Sequence, residues 1–88
     1  MIGRLRHYAR GAQLVSISSY ADDTGTRAYN LVLTHRRSQN IARVLLAGLH
    51  PSPRRTALTW YGESDPVASN ATAAGRARNR RSVIRIVR

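Results

Sequence analysis

The side chains able to do chemistry are few. The 88 residues hold four acids, Asp22, Asp23, Glu63 and Asp65, and three scattered histidines, His7, His35 and His50, with no cysteine. Catalysis by covalent attack or proton transfer needs a nucleophile beside a base, a pair of carboxylates, or a metal cluster. Nothing here has that spacing. His7 and His35 stand beside arginines on predicted helix surfaces and His50 beside a proline, so each reads as a solvated residue rather than a ligand. Glu63 and Asp65 fall in a Gly-Glu-Ser-Asp-Pro loop, where a turn and an arginine salt bridge explain them better than an acid/base couple. The sequence therefore points away from an enzyme, and no metal or cofactor is expected.

More informative is the pair Asp22-Asp23. Two adjacent acids stand in a chain with fifteen basic residues, at the end of a predicted strand, where functional loops concentrate. On position alone two readings stay open: a carboxylate that binds something, or one that caps a turn or the following helix.

The elements that must position this pair follow from apolar spacing. Ile2, Leu5, Tyr8 and Ala9 fall at helical intervals, and Gly11 marks the stop. Leu14 to Tyr20 alternates, with Val15 and Ile17 on one face and Leu14, Ser16 and Ser18 on the other, as in a strand with one buried side. Residues 21–25, Ala-Asp-Asp-Thr-Gly, are a turn by composition. Arg27 to Ala47 is the longest helical stretch, with Tyr29, Leu33, Ile41, Val44, Leu45 and Ala47 marking its predicted apolar face and Gly48 its stop. Thr34 offers an alternative start: as a cap it would put Arg37 at the third helical position and leave Asn30 to Leu33 as a separate turn. Pro51 and Pro53 make His50 to Arg55 a connection, and Thr56 to Tyr61 reads as a second strand. After a loop over Gly62 to Asn70, a short helix around Gly75 (Thr72 to Arg78) and a third strand (Ser82 to Val87) complete the chain. This order predicts one α+β domain spanning residues 1–88, a sheet packed against helices.

Bulk composition narrows the partners. The formal charge is +11 and every basic residue is arginine, whose planar fork suits carboxylates and phosphates alike. Nucleic acid, anionic lipid and an acidic wall polymer all fit that charge, and a coding bias toward arginine explains it as well. The aromatics Tyr8, Tyr20, Tyr29, Trp60 and Tyr61 form no recognisable stacking platform, and no nucleic-acid motif is present, so nucleic acid is not expected. No apolar run approaches the ~20 residues a membrane-spanning helix needs, and arginines interrupt Met1 to Arg10 where a signal peptide would be apolar.

Three blocks of sequence carry a resemblance. The first is Tyr20-Ala21-Asp22-Asp23-Thr24-Gly25, then Tyr29-Asn30, then Leu33-Thr34-His35-Arg36-Arg37-Ser38. The second runs from Tyr61 to Asn70 and the third from Gly75 to Val83, in order and at the expected spacing. Together, over about residues 10 to 88, they resemble the OmpA-like C-terminal domain, which binds peptidoglycan. The resemblance implies a mixed sheet packed on helices and a non-covalent grip on the diaminopimelate of the peptide stem, Asp22 taking the ammonium and Arg37 the carboxylate. It implies an anchor that ties an envelope protein to the cell wall, in the periplasm or at the outer membrane. Thr24, Gly25, Asn30 and Arg80 carry over as secondary contacts: Thr24 and Gly25 through backbone donors, Asn30 holding the loop or touching the stem, Arg80 at the rim or paired with Asp65 or Glu63. Asn79 is expected to fix a turn.

The sequence departs from the family pattern in places. Ser19-Tyr20-Ala21 stands where Gly-His-Thr is usual, and Tyr20 resembles variants in flagellar stator proteins. Ser38 replaces an alanine, and Ser82-Val83-Ile84 lacks a glutamate. The family's first strand and most of its first helix would precede Met1, so a sheet edge is expected to be unpaired and open to self-association. Two alternatives to wall binding follow: a structural domain of an envelope or stator protein that no longer binds the wall, and a basic nucleic-acid-binding module.

Overall fold

The computed structural model describes residues 2–88. Three helices, α1 (Ile2–Ala9), α2 (Arg27–Leu46) and α3 (Ala73–Asn79), alternate with three strands, β1 (Leu14–Tyr20), β2 (Thr56–Gly62) and β3 (Arg81–Val87). The strands form one mixed sheet in the order β2-β1-β3, parallel between β1 and β2 and antiparallel between β1 and β3. The α+β class and the element order match the sequence reading. Among the described residues, β2 and β3 each pair on one side only.

Alternation along β1 decides which face is covered. Val15, Ile17 and Ser19 are buried while the residues between them are half-exposed. Ile17 is flanked by Leu58 on β2 and Ile84 on β3. Ala9, Ala12, Leu45 and Leu49 close over this row, so α1 and α2 cover the same side. The Arg6 guanidinium on α1 donates to the carbonyl of Leu45 at 3.0 Å, satisfying one of the orphan acceptors at the end of α2.

α2 corrects two expectations. It is one continuous helix of 20 residues, capped by Thr26, whose hydroxyl accepts from the Tyr29 N–H. Thr34 is not a cap. It is fully buried in mid-helix, donates back to the carbonyl of Asn30 (2.9 Å) and accepts from the N–H of Gly62 (3.1 Å). Arg37 therefore sits nearly three turns into the helix rather than at its third position. The second correction concerns the buried face, which is Asn30, Thr34, Ser38 and Leu45. Tyr29 and Val44, assigned to it by apolar spacing, are 61% and 56% exposed, and Ala47 is exposed as well. The consecutive Leu31, Val32 and Leu33 blur the apolar period, and small polar residues can line a buried face when each finds a partner.

Those partners form a seam across the sheet. Hydroxyls of Ser82, Ser19 and Ser38 link at 3.0 and 2.7 Å, and Ser38 donates to the carbonyl of Thr59 at 2.9 Å. At the end of the seam β2 bulges, so that Ser19 faces Trp60 but Tyr20 faces Gly62. Gly62 takes φ +59°, and a Cβ there would crowd the Leu31 backbone N at 3.3 Å. Its N–H reaches Thr34 and its carbonyl accepts from Ala21 at 2.7 Å, which ties the exit of β1 to α2.

Candidate functional site

Where β1 leaves the sheet, the chain turns through residues 21–26 before entering α2. Asp22 builds this turn: its Oδ1 accepts the Thr24 N–H at 2.9 Å, and only 6% of the residue remains exposed. From one turn into α2, the buried Asn30 donates to the carbonyls of Asp22 (3.2 Å) and Thr24 (3.0 Å). Asn30 thus holds the loop, one of the two roles expected for it. Gly25 serves the same loop with φ +83° but is not on the wall of the cavity described below.

Arg37 projects from α2 toward the same loop. Its Nη1 donates to the carbonyl of Tyr20 across a long 3.4 Å, and among the described residues it forms no salt bridge. Most of its donors are uncommitted, so it can receive a carboxylate bidentately. The expected assistance from a helix start at Thr34 does not arise, because α2 begins at Arg27.

Arg80 behaves differently from expectation. Instead of pairing with Asp65 or Glu63, its Nη1 donates to Asp22 Oδ2 at 2.7 Å. Glu63 pairs with Arg27 at 3.2 Å, and the backbone carbonyl of Asp65 accepts from Arg81 at 3.1 Å. The reason lies in α3. Gly75 packs so tightly against the preceding loop that a Cβ would collide with the carbonyl of Ser69. Asn79, fully buried, accepts from the N–H groups of Val67 and Ala68 and donates to Ala68 O and Asn70 Oδ1. Asn79 thus fixes the turn expected of it, and the next residue points back across the sheet end to Asp22. The Thr24 N–H, foremost, and the Arg80 guanidinium hold the Asp22 carboxyl below its ordinary pKa, against the opposing effect of burial.

Asp22, Thr24, Asn30, Arg37 and Arg80 all line one cavity of about 300 Å³, completed by Ala21, Tyr29 and Leu33. Of the six predicted site residues only Gly25 is not on its wall. Sequence reasoning missed Tyr29 and Leu33, which it assigned to the apolar face; the run Leu31-Val32-Leu33 gave no signal that one side borders a cavity. One other expectation changes: His35, read as solvated, is half-buried and stacks on Trp60 at 3.9 Å. Of the aromatics, Tyr20 stacks on Tyr61 at 4.9 Å and has the guanidinium of Arg81 3.8 Å from its ring centre.

Among the described residues no acids and histidines cluster in a way that could hold a metal. What the cavity offers is one carboxylate and two guanidiniums around a partly apolar wall. Such a set is chemically suited to a small ligand carrying both signs of charge.

The chain is 47% identical over 68 residues to outer membrane porin F of Pseudomonas fluorescens, covering 76% of this chain and 20% of that protein. It is 39% identical over 70 residues to the peptidoglycan-associated lipoprotein of Pseudomonas aeruginosa, covering 78% and 40%. It thus spans well under half the length of either relative. Among solved structures, the cell wall anchor of the T6SS from Pseudomonas aeruginosa superposes with a TM-score of 0.78 at 32% identity, over 94% of this chain and 61% of that one. The model of the OmpA family matches residues 2–80, so the chain belongs to the OmpA family.

Proposed function

We propose that the chain binds peptidoglycan non-covalently by gripping the diaminopimelate of the stem peptide between Asp22 and Arg37. The observation that carries this reading is the convergence of these two side chains on one cavity of about 300 Å³. Diaminopimelate ends in an ammonium and a carboxylate on a single carbon, so its recognition requires an anion and a cation a few ångströms apart. Asp22 takes the ammonium and Arg37 the carboxylate, each through charge-assisted hydrogen bonds worth about 1.5 to 3 kcal/mol. Thr24 and Asn30 keep the Asp22 loop in shape, and Tyr29 and Leu33 face the ligand's methylenes.

The biological role that follows is that of a wall anchor for an envelope protein, working in the periplasm and without catalysis. The names of its relatives, a peptidoglycan-associated lipoprotein and a cell wall anchor, support it. A fourth strand, from another copy of the chain, adds to an open edge of the sheet, and sedimentation at rising protein concentration checks this.

Titration with a stem tripeptide containing meso-diaminopimelate, and with the same peptide containing lysine, tests the grip, because lysine lacks the terminal carboxylate. The expected result is at least tenfold weaker binding of the lysine peptide, and loss of wall retention in both Asp22→Ala and Arg37→Ala while both stay folded. Equal binding of the two peptides would sink the reading.

A further inference from the structure

We infer that Arg80 makes this cavity select stem peptides that carry a second carboxylate close to the gripped end. The inference rests on the diaminopimelate reading and deepens it. Its starting point is that Asp22 is already engaged: Oδ2 accepts from Arg80 at 2.7 Å and Oδ1 from the Thr24 N–H at 2.9 Å. A carboxylate has about four lone-pair positions, so it can still accept from an ammonium. That ammonium then lies beside the Arg80 charge as well.

The charges on the cavity wall are Arg37 and Arg80 against Asp22 alone, two positive and one negative. The terminal zwitterion of diaminopimelate adds one of each sign and leaves the excess positive charge in place. A ligand with a further carboxylate removes it. Arg80 is suited to receive that group: a guanidinium has five N–H donors, and the side chain lines the cavity while half exposed. Its root is not a loose surface position. The Arg80 N–H closes α3 on the carbonyl of Arg76 at 3.1 Å, directly after the buried and fully bonded Asn79.

A stem peptide offers this second carboxylate from two sources: the α-carboxylate of the D-glutamate that precedes diaminopimelate, and the carboxylate on diaminopimelate's own backbone carbon when the stem ends there. Both present the same chemistry to Arg80, and amidation removes either one.

Calorimetric titration of the parent chain and Arg80→Gln with four forms of L-Ala-γ-D-Glu-meso-diaminopimelate separates the possibilities. The forms are unmodified, amidated at glutamate, amidated at the diaminopimelate backbone carboxyl, and amidated at both. The parent is expected to lose about fivefold in affinity on amidation of whichever carboxylate Arg80 contacts, a modest factor because the arginine is half exposed. Arg80→Gln is expected to bind all four forms alike, because the group that distinguishes them is gone. A merely structural arginine would weaken all four equally, and that result overturns the inference, as does a parent that ignores amidation. The lysine-containing tripeptide keeps the two failures apart. If it binds the parent as well as the diaminopimelate form does, the grip itself is misplaced; if it binds more weakly while amidation has no effect, only the role of Arg80 falls.

Discussion

The two halves of α2 rest on the same sheet but on different chemistry. Toward its C-terminal end, Leu45 closes an apolar cluster with Ala9, Val15, Ile17 and Leu49. Toward its N-terminal end, Asn30, Thr34 and Ser38 bury polar atoms, each bonded to a strand or to the loop that carries Asp22. Apolar contact is tolerant of small shifts, whereas a hydrogen bond fixes distance and direction. The difference teaches a division of labour: one half supplies adhesion, and the other sets the position of Asp22 relative to Arg37. In a chain this short, with no cysteine to cross-link it, the apolar half is small and every contact in it counts.

Substitutions that affect one half and spare the other break or sharpen this contrast. The largest effect is expected in the apolar half. Leu45→Ala leaves a cavity under α1 and should lower unfolding free energy by about 2 to 5 kcal/mol, measured by urea denaturation, with stem-peptide affinity unchanged in the fraction that stays folded. A parallel loss of affinity would show that the halves are coupled. Next comes Gly75→Ala, which drives a methyl group into Ser69 and dislodges α3. It should cost about 1 to 3 kcal/mol, and it should also disturb the site, because Asn79 and Arg80 depend on α3. The smallest effect concerns pH. The Asp22 pKa is depressed in the folded chain, so the stability it contributes is present above the unfolded value of about 3.9 and is lost as pH falls through the lower folded value. Denaturation midpoints should therefore drop more steeply below pH 4 in the parent than in Asp22→Asn.

How much of this was legible in the sequence differs between the same two regions. The apolar half was legible in part: the alternation of Val15 and Ile17, the position of Leu45 and the glycine stops at Gly11 and Gly48 mark it, whereas Val44 and Ala47, assigned to the same face, are exposed. The polar half was not. A buried Thr34 or Ser38 has no periodic signature, since its burial depends on partners such as Gly62 and Thr59, more than twenty residues away in sequence. A threonine followed by polar residues looks like a helix start, which is why Thr34 reads as a cap until the strand beside it is seen. Asp22 stands out by its place after β1, but its role, like those of Thr24, Asn30 and Arg37, comes from family likeness, and all four line the cavity. The Arg80 pairing with Asp22 was out of reach, because it spans 58 residues and depends on how tightly Gly75 lets α3 dock.

The central claim is that Asp22 and Arg37 hold the two charges of one carbon, and the most direct test removes partners from both sides of a single contact. Affinities of the parent and Arg37→Gln should be measured for the diaminopimelate tripeptide and for its lysine counterpart, as a double-mutant cycle in which the second change lies in the ligand. The expected result is that each change alone weakens binding at least tenfold, while lysine in place of diaminopimelate makes no further difference once Arg37 is gone. Losses that simply add would place the terminal carboxylate somewhere other than Arg37 and contradict the account.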